Sequence, residues 1–242
     1  MKNLILLLLC AGYLVVYGQQ KSVSGMFVQF VDTTEISKTF NIVREDSVNK
    51  KGATTLTYLN HGRLIEEAHF SNYEEKIRDG KSKTWYENGN LHSEIDYAAN
   101  KIHGQVLTFW EDGTPKRIDQ YKDGKYIEGQ CFNQQGDTIP HFDYQKMPHY
   151  SGGEKEMMRF LAEHIKYPIK TQKEKIEGRV IAKFVVTPEG KIGKIEIAKS
   201  LHPLLDKEAL RVIRQMPDWE PGLLDGKPVD VYYVLPIKFQ LR

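Results

Sequence analysis

The 242-residue sequence predicts an α+β protein with two unlike parts. The first, over 19–140, is an all-β repeat meander of short hairpins. The second, over 141–242, is a two-helix, three-stranded antiparallel sheet domain. Three observations carry this reading. A hairpin-like unit recurs through the first half, the last hundred residues alternate helical and strand periodicities in a fixed order, and hydrophobic residues make up 40% of the chain, enough for packed cores.

The stretch 1–18 stands apart. Lys2 supplies a positive start, Leu4 to Val16 is apolar apart from Cys10, Gly12 and Tyr13, and Val16-Tyr17-Gly18 precede Gln19. That is the pattern of a secretory signal peptide. An uncleaved membrane anchor is the alternative, against which the run falls short of the ~20 apolar residues a spanning helix needs. Cleavage removes Cys10 and leaves Cys131 with no internal disulfide partner, so the fold must rest on its cores. Cys131 is read as an ordinary buried thiol. Lys+Arg number 34 against 32 Asp+Glu, which provides no electrostatic reason to propose nucleic acid.

Three segments align in the first part: "LTYLNHGRLIEEAHF", "KTWYENGNLHSEIDY" and "LTFWEDGTPKRIDQY". "GQCFNQQGDTI" is a fading fourth. Gly62, Gly89 and Gly113 are spaced by 27 and then 24 residues, in the range of repeat architectures. Asn88-Gly89 and Asp112-Gly113 suit tight hairpin turns that need positive φ; Asp79-Gly80, His103-Gly104 and Asp123-Gly124 mark the turns between copies. Trp85, Tyr86, Phe109 and Trp110 either line a ligand groove or form the core between repeats. His61, His92 and His103 share no ligand spacing and read as turn histidines. "MFVQFVD" and "TFNIVRE" alternate as strands and are expected to open the same sheet.

From about Tyr144 the pattern changes. Ser151 and Glu154 fit a capping box, Met157, Phe160, Leu161 and Ile165 share one helical face, and Pro168 closes the helix. Val180, Ala182, Phe184 and Val186 share one face of a strand that turns at Pro188-Glu189-Gly190 and returns through Ile195 and Ile197. Leu205, Ala209, Val212, Ile213 and Met216 mark a second helix stopped by Pro217. Trp219 then lies in the corner "MPDWEPG", expected to plug the end of the core. The last strand is a period-two row through Val229, Val231, Tyr233, Leu235, Ile237, Phe239 and Leu241. In the order helix, strand, strand, helix, strand, this last strand pairs antiparallel with the first hairpin strand and stays on an edge, where Pro236 is tolerated.

Two resemblances follow from these residues. The repeats, with their "YENG.L" core, resemble the MORN-like repeats of the YwqK antitoxin-type family over roughly 54–136, which implies a binding or spacing module. "MPHYSGG", "YP", "GRVIAKFVVTPEGKI", "LLDKEALRVIRQMPDWEPG", "GKPV" and "LPIKF" occur in that order from Met147 onward. They resemble the C-terminal domain of the TonB energy-transducer family, in the version of Bacteroidota-type bacteria.

That second resemblance implies a periplasmic, non-enzymatic domain that binds an extended segment, the TonB box, of an outer-membrane TonB-dependent receptor by adding it as a strand, in energised transmembrane transport. It implies peptide-binding residues at Val229, Asp230, Val231, Tyr232, Tyr233, Val234 and Leu235, with Tyr167 and Pro168 beside them. Tyr232 and Val234, opposite the core row, are the side-chain contact candidates; Tyr167 either packs at the helix end or touches the ligand. Inner-membrane proton-driven motor proteins are partners if the N-terminus is anchored. No cofactor, metal or catalytic residue is implied. Asp206 and Glu208 sit at a helix beginning, where acidic residues are expected. Repeats stand where full transducers carry a Pro-rich spacer, so the alternative is an envelope scaffolding protein that works through its repeats without transducing energy.

Overall fold

The computed structural model describes residues 28–30, 42–49, 52–59 and 62–241; the stretch read as a signal peptide or anchor lies outside them, and so does His61. In chain order the strands of the first half are β1 (Val28–Phe30), β2 (Ile42–Asn49), β3 (Gly52–Leu59), β4 (Leu64–Asn72), β5 (Ile77–Arg78) and β6 (Gly80–Trp85). There follow β7 (Leu91–Ala98), β8 (Lys101–Phe109), β9 (Pro115–Lys122), β10 (Lys125–Phe132) and β11 (Thr138–Ile139). The second half holds β12 (Gln145–Lys146), β13 (His149–Tyr150), α1 (Gly153–His164), α2 (Ile169–Lys173), β14 (Gly178–Val186) and β15 (Ile192–Lys199). It ends with α3 (Pro203–Ile213), β16 (Trp219–Glu220), β17 (Gly222–Leu224), β18 (Lys227–Val229) and β19 (Val231–Phe239). The described residues form two compact units, one within 42–142 and one combining Val28–Phe30 with 143–241.

The first unit is the expected meander: an antiparallel sheet in the order β2–β3–β4–β6–β7–β8–β9–β10–β11, with β5 alongside β4. Its turns differ from the expectation. Tyr86 N donates to Asn90 O and Gly89 N to Tyr86 O; the same pair of bonds closes 110–114 and 133–137. Only the glycine of each turn has positive φ (94° at Gly89, 89° at Gly113, 86° at Gly136). Asn88-Gly89 and Asp112-Gly113 are therefore not two-residue turns but the end of a longer loop, whose left-handed glycine is followed by a β-bulge. The same loop recurs at 133–137, in the segment read as a fading fourth copy. Two-residue turns with both residues at positive φ sit at the opposite strand ends, at Ala99-Asn100 and Asp123-Gly124.

The aromatics flanking these loops stitch copy to copy. The Tyr86 hydroxyl donates to Phe109 O at 2.8 Å, and Trp110 Nε1 to Phe132 O at 3.2 Å. All four aromatics proposed for a groove are half-buried. His92 bonds Thr84 Oγ1 and packs on the Tyr86 ring, and His103 bonds Asp123.

In the second unit the sheet order is β1–β19–β14–β15. α1 and α3 cover one face through Met157, Leu161, Leu205, Ala209, Val212 and Ile213, against Val180, Ala182, Phe184 and Val186 of β14 and the odd-numbered residues of β19. These are the core positions the periodicities predict. Details at the helix ends differ. Gly152 and Gly153 both take positive φ, so Ser151 turns away to donate to Asp218 O and forms no capping box. Pro168, rather than closing α1, precedes the short α2, which the periodicity did not reveal. α3 is capped by His202, whose Nδ1 accepts from Leu204 N at 3.1 Å.

The largest departure concerns "MFVQFVD". Its β1 does not open the repeat sheet. It pairs antiparallel with β19, so that strand is not the free edge the element order implied.

Candidate functional site

β19 is positioned by its own alternation. Val231, Tyr233, Leu235, Ile237 and Phe239 are buried under the helices, and nine consecutive residue pairs lock the strand to β14, from Val186↔Val231 to Gly178↔Phe239. Pro236 lies within this unbroken ladder, opposite Ile181. Proline cannot donate, so the residues exchanging bonds with β14 are the odd-numbered ones. The backbone N–H and C=O groups of Tyr232 and Val234 therefore point away from β14, to the outer edge of the strand.

That outer edge meets β1 in the register Val28↔Tyr233, Gln29↔Tyr232 and Phe30↔Val231. By the same alternation, Gln29 is the residue that exchanges backbone bonds with Tyr232. On the sheet face opposite the core, Tyr232 is only 8% exposed. The Lys183 ammonium stands 4.1 Å from its ring centroid, a cation–π contact, and pairs with Glu196 at 3.6 Å. Val234 beside it is half-buried. Burial, with Glu154 nearby, pushes the Tyr233 hydroxyl up to about 12, which keeps that core phenol neutral.

The remaining predicted site residues are distributed differently. Val229 belongs to β18 and pairs with Gly222, and Asp230 separates β18 from β19. Tyr167 packs edge-on against Phe239 at 5.6 Å and its hydroxyl donates to Ile176 O; with Pro168 at the start of α2, it braces the far end of β19. Asp206 accepts from Leu201 N and Ser200 Oγ. Glu208 accepts from Lys166 N and from Arg211 Nε and Nη2. Both acidic groups are consumed in holding loops and helix ends.

Trp219 sits in the core, 4% exposed, with edge-on contacts to Tyr150, Phe184 and Tyr233 at 5.6, 5.6 and 4.7 Å. Its backbone N donates to Gly190 O at 2.7 Å. A side chain at Gly190 would place Cβ 2.0 Å from Trp219 O, so the hairpin turn and the corner require glycine there. From this fixture β17 and β18 form a hairpin over Asp225-Gly226, joined by β12, and deliver the chain to the start of β19.

In the first unit one polar cluster was not foreseen. Asp119, Cys131 and His141 bring an oxygen, a sulfur and a nitrogen within 4.8 Å of one another. Arg117, fully buried, donates from Nη1 to Asp119 Oδ2 at 2.5 Å and lies 3.3 Å from His141 Nε2. The guanidinium already balances the carboxylate, and a metal ion would be held against that cation. The cluster reads as the buried lock between β9 and β10. Cys131 and His141 carried no spacing signal, because β9–β10 pairing and the chain leaving β11 bring them together only in the folded sheet.

Comparison with known families and structures places these units. Residues 163–241 match the Gram-negative bacterial TonB protein C-terminal family; residues 78–99 and 102–123 match the MORN repeat variant. The NMR solution structure of Helicobacter pylori TonB-CTD (residues 179-285) is similar at 22% identity, over 36% of this chain and 79% of that one, with a TM-score of 0.30. No curated protein matches. Among the described residues no helix is long and apolar enough to cross a membrane.

Proposed function

We propose, from a TonB C-terminal domain preceded by MORN repeat variants, that this protein works in the cell envelope. There it binds an extended segment of an outer-membrane TonB-dependent receptor by strand addition, as part of energised transmembrane transport. The observation that carries the reading is that the outer edge of β19 takes an extended antiparallel segment at Val231–Tyr233, with β1 in that place. Backbone bonding at Tyr232 and Val234 supplies the grip, and the Lys183–Tyr232 face supplies side-chain selectivity. About four ladder bonds, two at Tyr232 and two at Val234, at roughly 1 kcal/mol each, less the cost of association, make a contact far weaker than micromolar. Weak binding suits a transducer that must release its receptor. Whether inner-membrane motor proteins are partners turns on the N-terminal stretch, cleaved or retained.

The test is titration of the isotope-labelled protein with synthetic peptides from the N-terminal segments of co-occurring outer-membrane receptors. Saturable shifts are expected at the amides of Tyr232 and Val234, and should weaken when Val234→Pro removes an outward donor. Shifts confined to the repeat sheet would instead favour a scaffolding role for the repeats.

A further inference from the structure

We propose that Val28–Phe30 is a built-in competitor for the binding edge, so that an incoming segment must displace it. The inference rests on the strand-addition reading above and adds to it a regulated state. β1 comes from far upstream, with Gln29 and Tyr232 separated by 203 positions, and it belongs to the second unit rather than to the repeat sheet. It lies antiparallel on the one side of β19 not held by β14, at the three residues where β19 begins.

The two sides of β19 differ in strength. Among the described residues nine pairs bind it to β14, whereas three bind it to β1. A three-residue strand is marginal by itself, and its place on the same chain supplies the balance by making the pairing intramolecular. Among the described residues the pairing ends at Tyr233, while Val234 directs its backbone groups outward. A longer segment entering beside Val234 and Leu235 has a foothold from which to replace β1 pair by pair. Self-pairing also answers a hazard of the fold, since an open edge row would recruit other chains. The same backbone row thus has two alternative occupants, the chain's own segment and an external one.

The experiment uses the full chain, a Gln29→Pro variant that removes the amide facing Tyr232, and Gln29→Ala, which keeps it. The probe is a labelled, end-blocked peptide of this chain's own "MFVQFVD" sequence. Tighter binding to Gln29→Pro than to the parent and to Gln29→Ala is expected, because the intramolecular competitor is removed only in Gln29→Pro. Hydrogen exchange at the Tyr232 amide should be slow in the parent and in Gln29→Ala, and fast in Gln29→Pro. Equal affinity for all three proteins, or unchanged exchange at Tyr232, would overturn the proposal. If Gln29→Pro gains the self-peptide yet binds no receptor-derived peptide, the competitor strand stands and the receptor reading falls. If receptor peptides bind parent and Gln29→Pro equally well, the receptor reading stands and the competitor falls.

Discussion

The two units solve the burial problem in opposite ways. Among the described residues the repeat sheet buries ten polar or charged side chains, including Glu66, Arg78, Arg117 and Asp119, while the C-terminal unit buries three. The repeat sheet joins only strands close in sequence and uses ion pairs such as Arg78–Glu66 at 2.8 Å to register one strand on another. The C-terminal unit gathers Met157, Phe184, Val212 and Phe239 from distant elements into one apolar cluster. Yet both use the same loop: Thr187 N donates to Lys191 O and Gly190 N to Thr187 O, as at 86–90 and 110–114. Turn chemistry is thus transferable between the units, and what lies between the turns sets the character of each. A buried pair is unforgiving when halved, whereas an apolar core fails in proportion to the volume removed.

That contrast can be broken at its two centres. Asp119→Ala leaves Arg117 buried without its carboxylate and should destabilise the repeat sheet by about 3–5 kcal/mol, read as accelerated hydrogen exchange in β9 and β10. An Arg117→Met/Asp119→Leu double variant should recover most of the loss; failure to do so would show the pair is more than a register lock. Trp219→Ala should cost the C-terminal unit about 3–5 kcal/mol in denaturant unfolding, with β9 and β10 exchange unchanged. A variant that folds normally and loses only peptide binding would move Trp219 from core fixture to ligand contact.

Smaller effects sharpen the comparison. Burial by itself would raise the Glu208 carboxyl, but the bonds from Arg211 and Lys166 N hold it below the usual carboxylate range. Its contribution is therefore present above the ordinary carboxylate pKa and lost as pH falls through the depressed folded value. Glu208→Gln should cost about 1–2 kcal/mol at neutral pH, reduced because Arg211 is open to solvent. The gap to the parent should close in acid, and a gap independent of pH would refute the assignment. Tyr86→Phe removes the bond to Phe109 O and should cost about 0.5–1.5 kcal/mol, felt only by neighbouring repeat strands in exchange measurements.

Much of this was legible in the chain. The buried rows of β14, α3 and β19 coincide with the periodic apolar positions, since a period of two or of 3.6 leaves a strand or helix one way to face a core. Pro236 suggested an edge strand, whereas β19 lies between β1 and β14; once the ladder to β14 was known, the same proline oriented the backbone groups of β19. Asn88-Gly89 announced a turn, but its type was misread, because the asparagine–glycine pair also occurs in the longer bulged loop. Of the proposed binding residues, Val231 to Leu235 lie together on β19, while Val229 belongs to another hairpin and Tyr167 is occupied in packing.

The sequence by itself determined where the principal strands and helices of the second half lie and which face of each is apolar, because periodicity acts over a few neighbours. Only the tertiary structure decided partners: that Asp119 and His141 meet beside Arg117, and that Val28–Phe30 pairs with β19. A strand's own alternation specifies its faces but not which edge its backbone will complete. That choice is made by whichever unpaired row of N–H and C=O groups the folded chain leaves within reach.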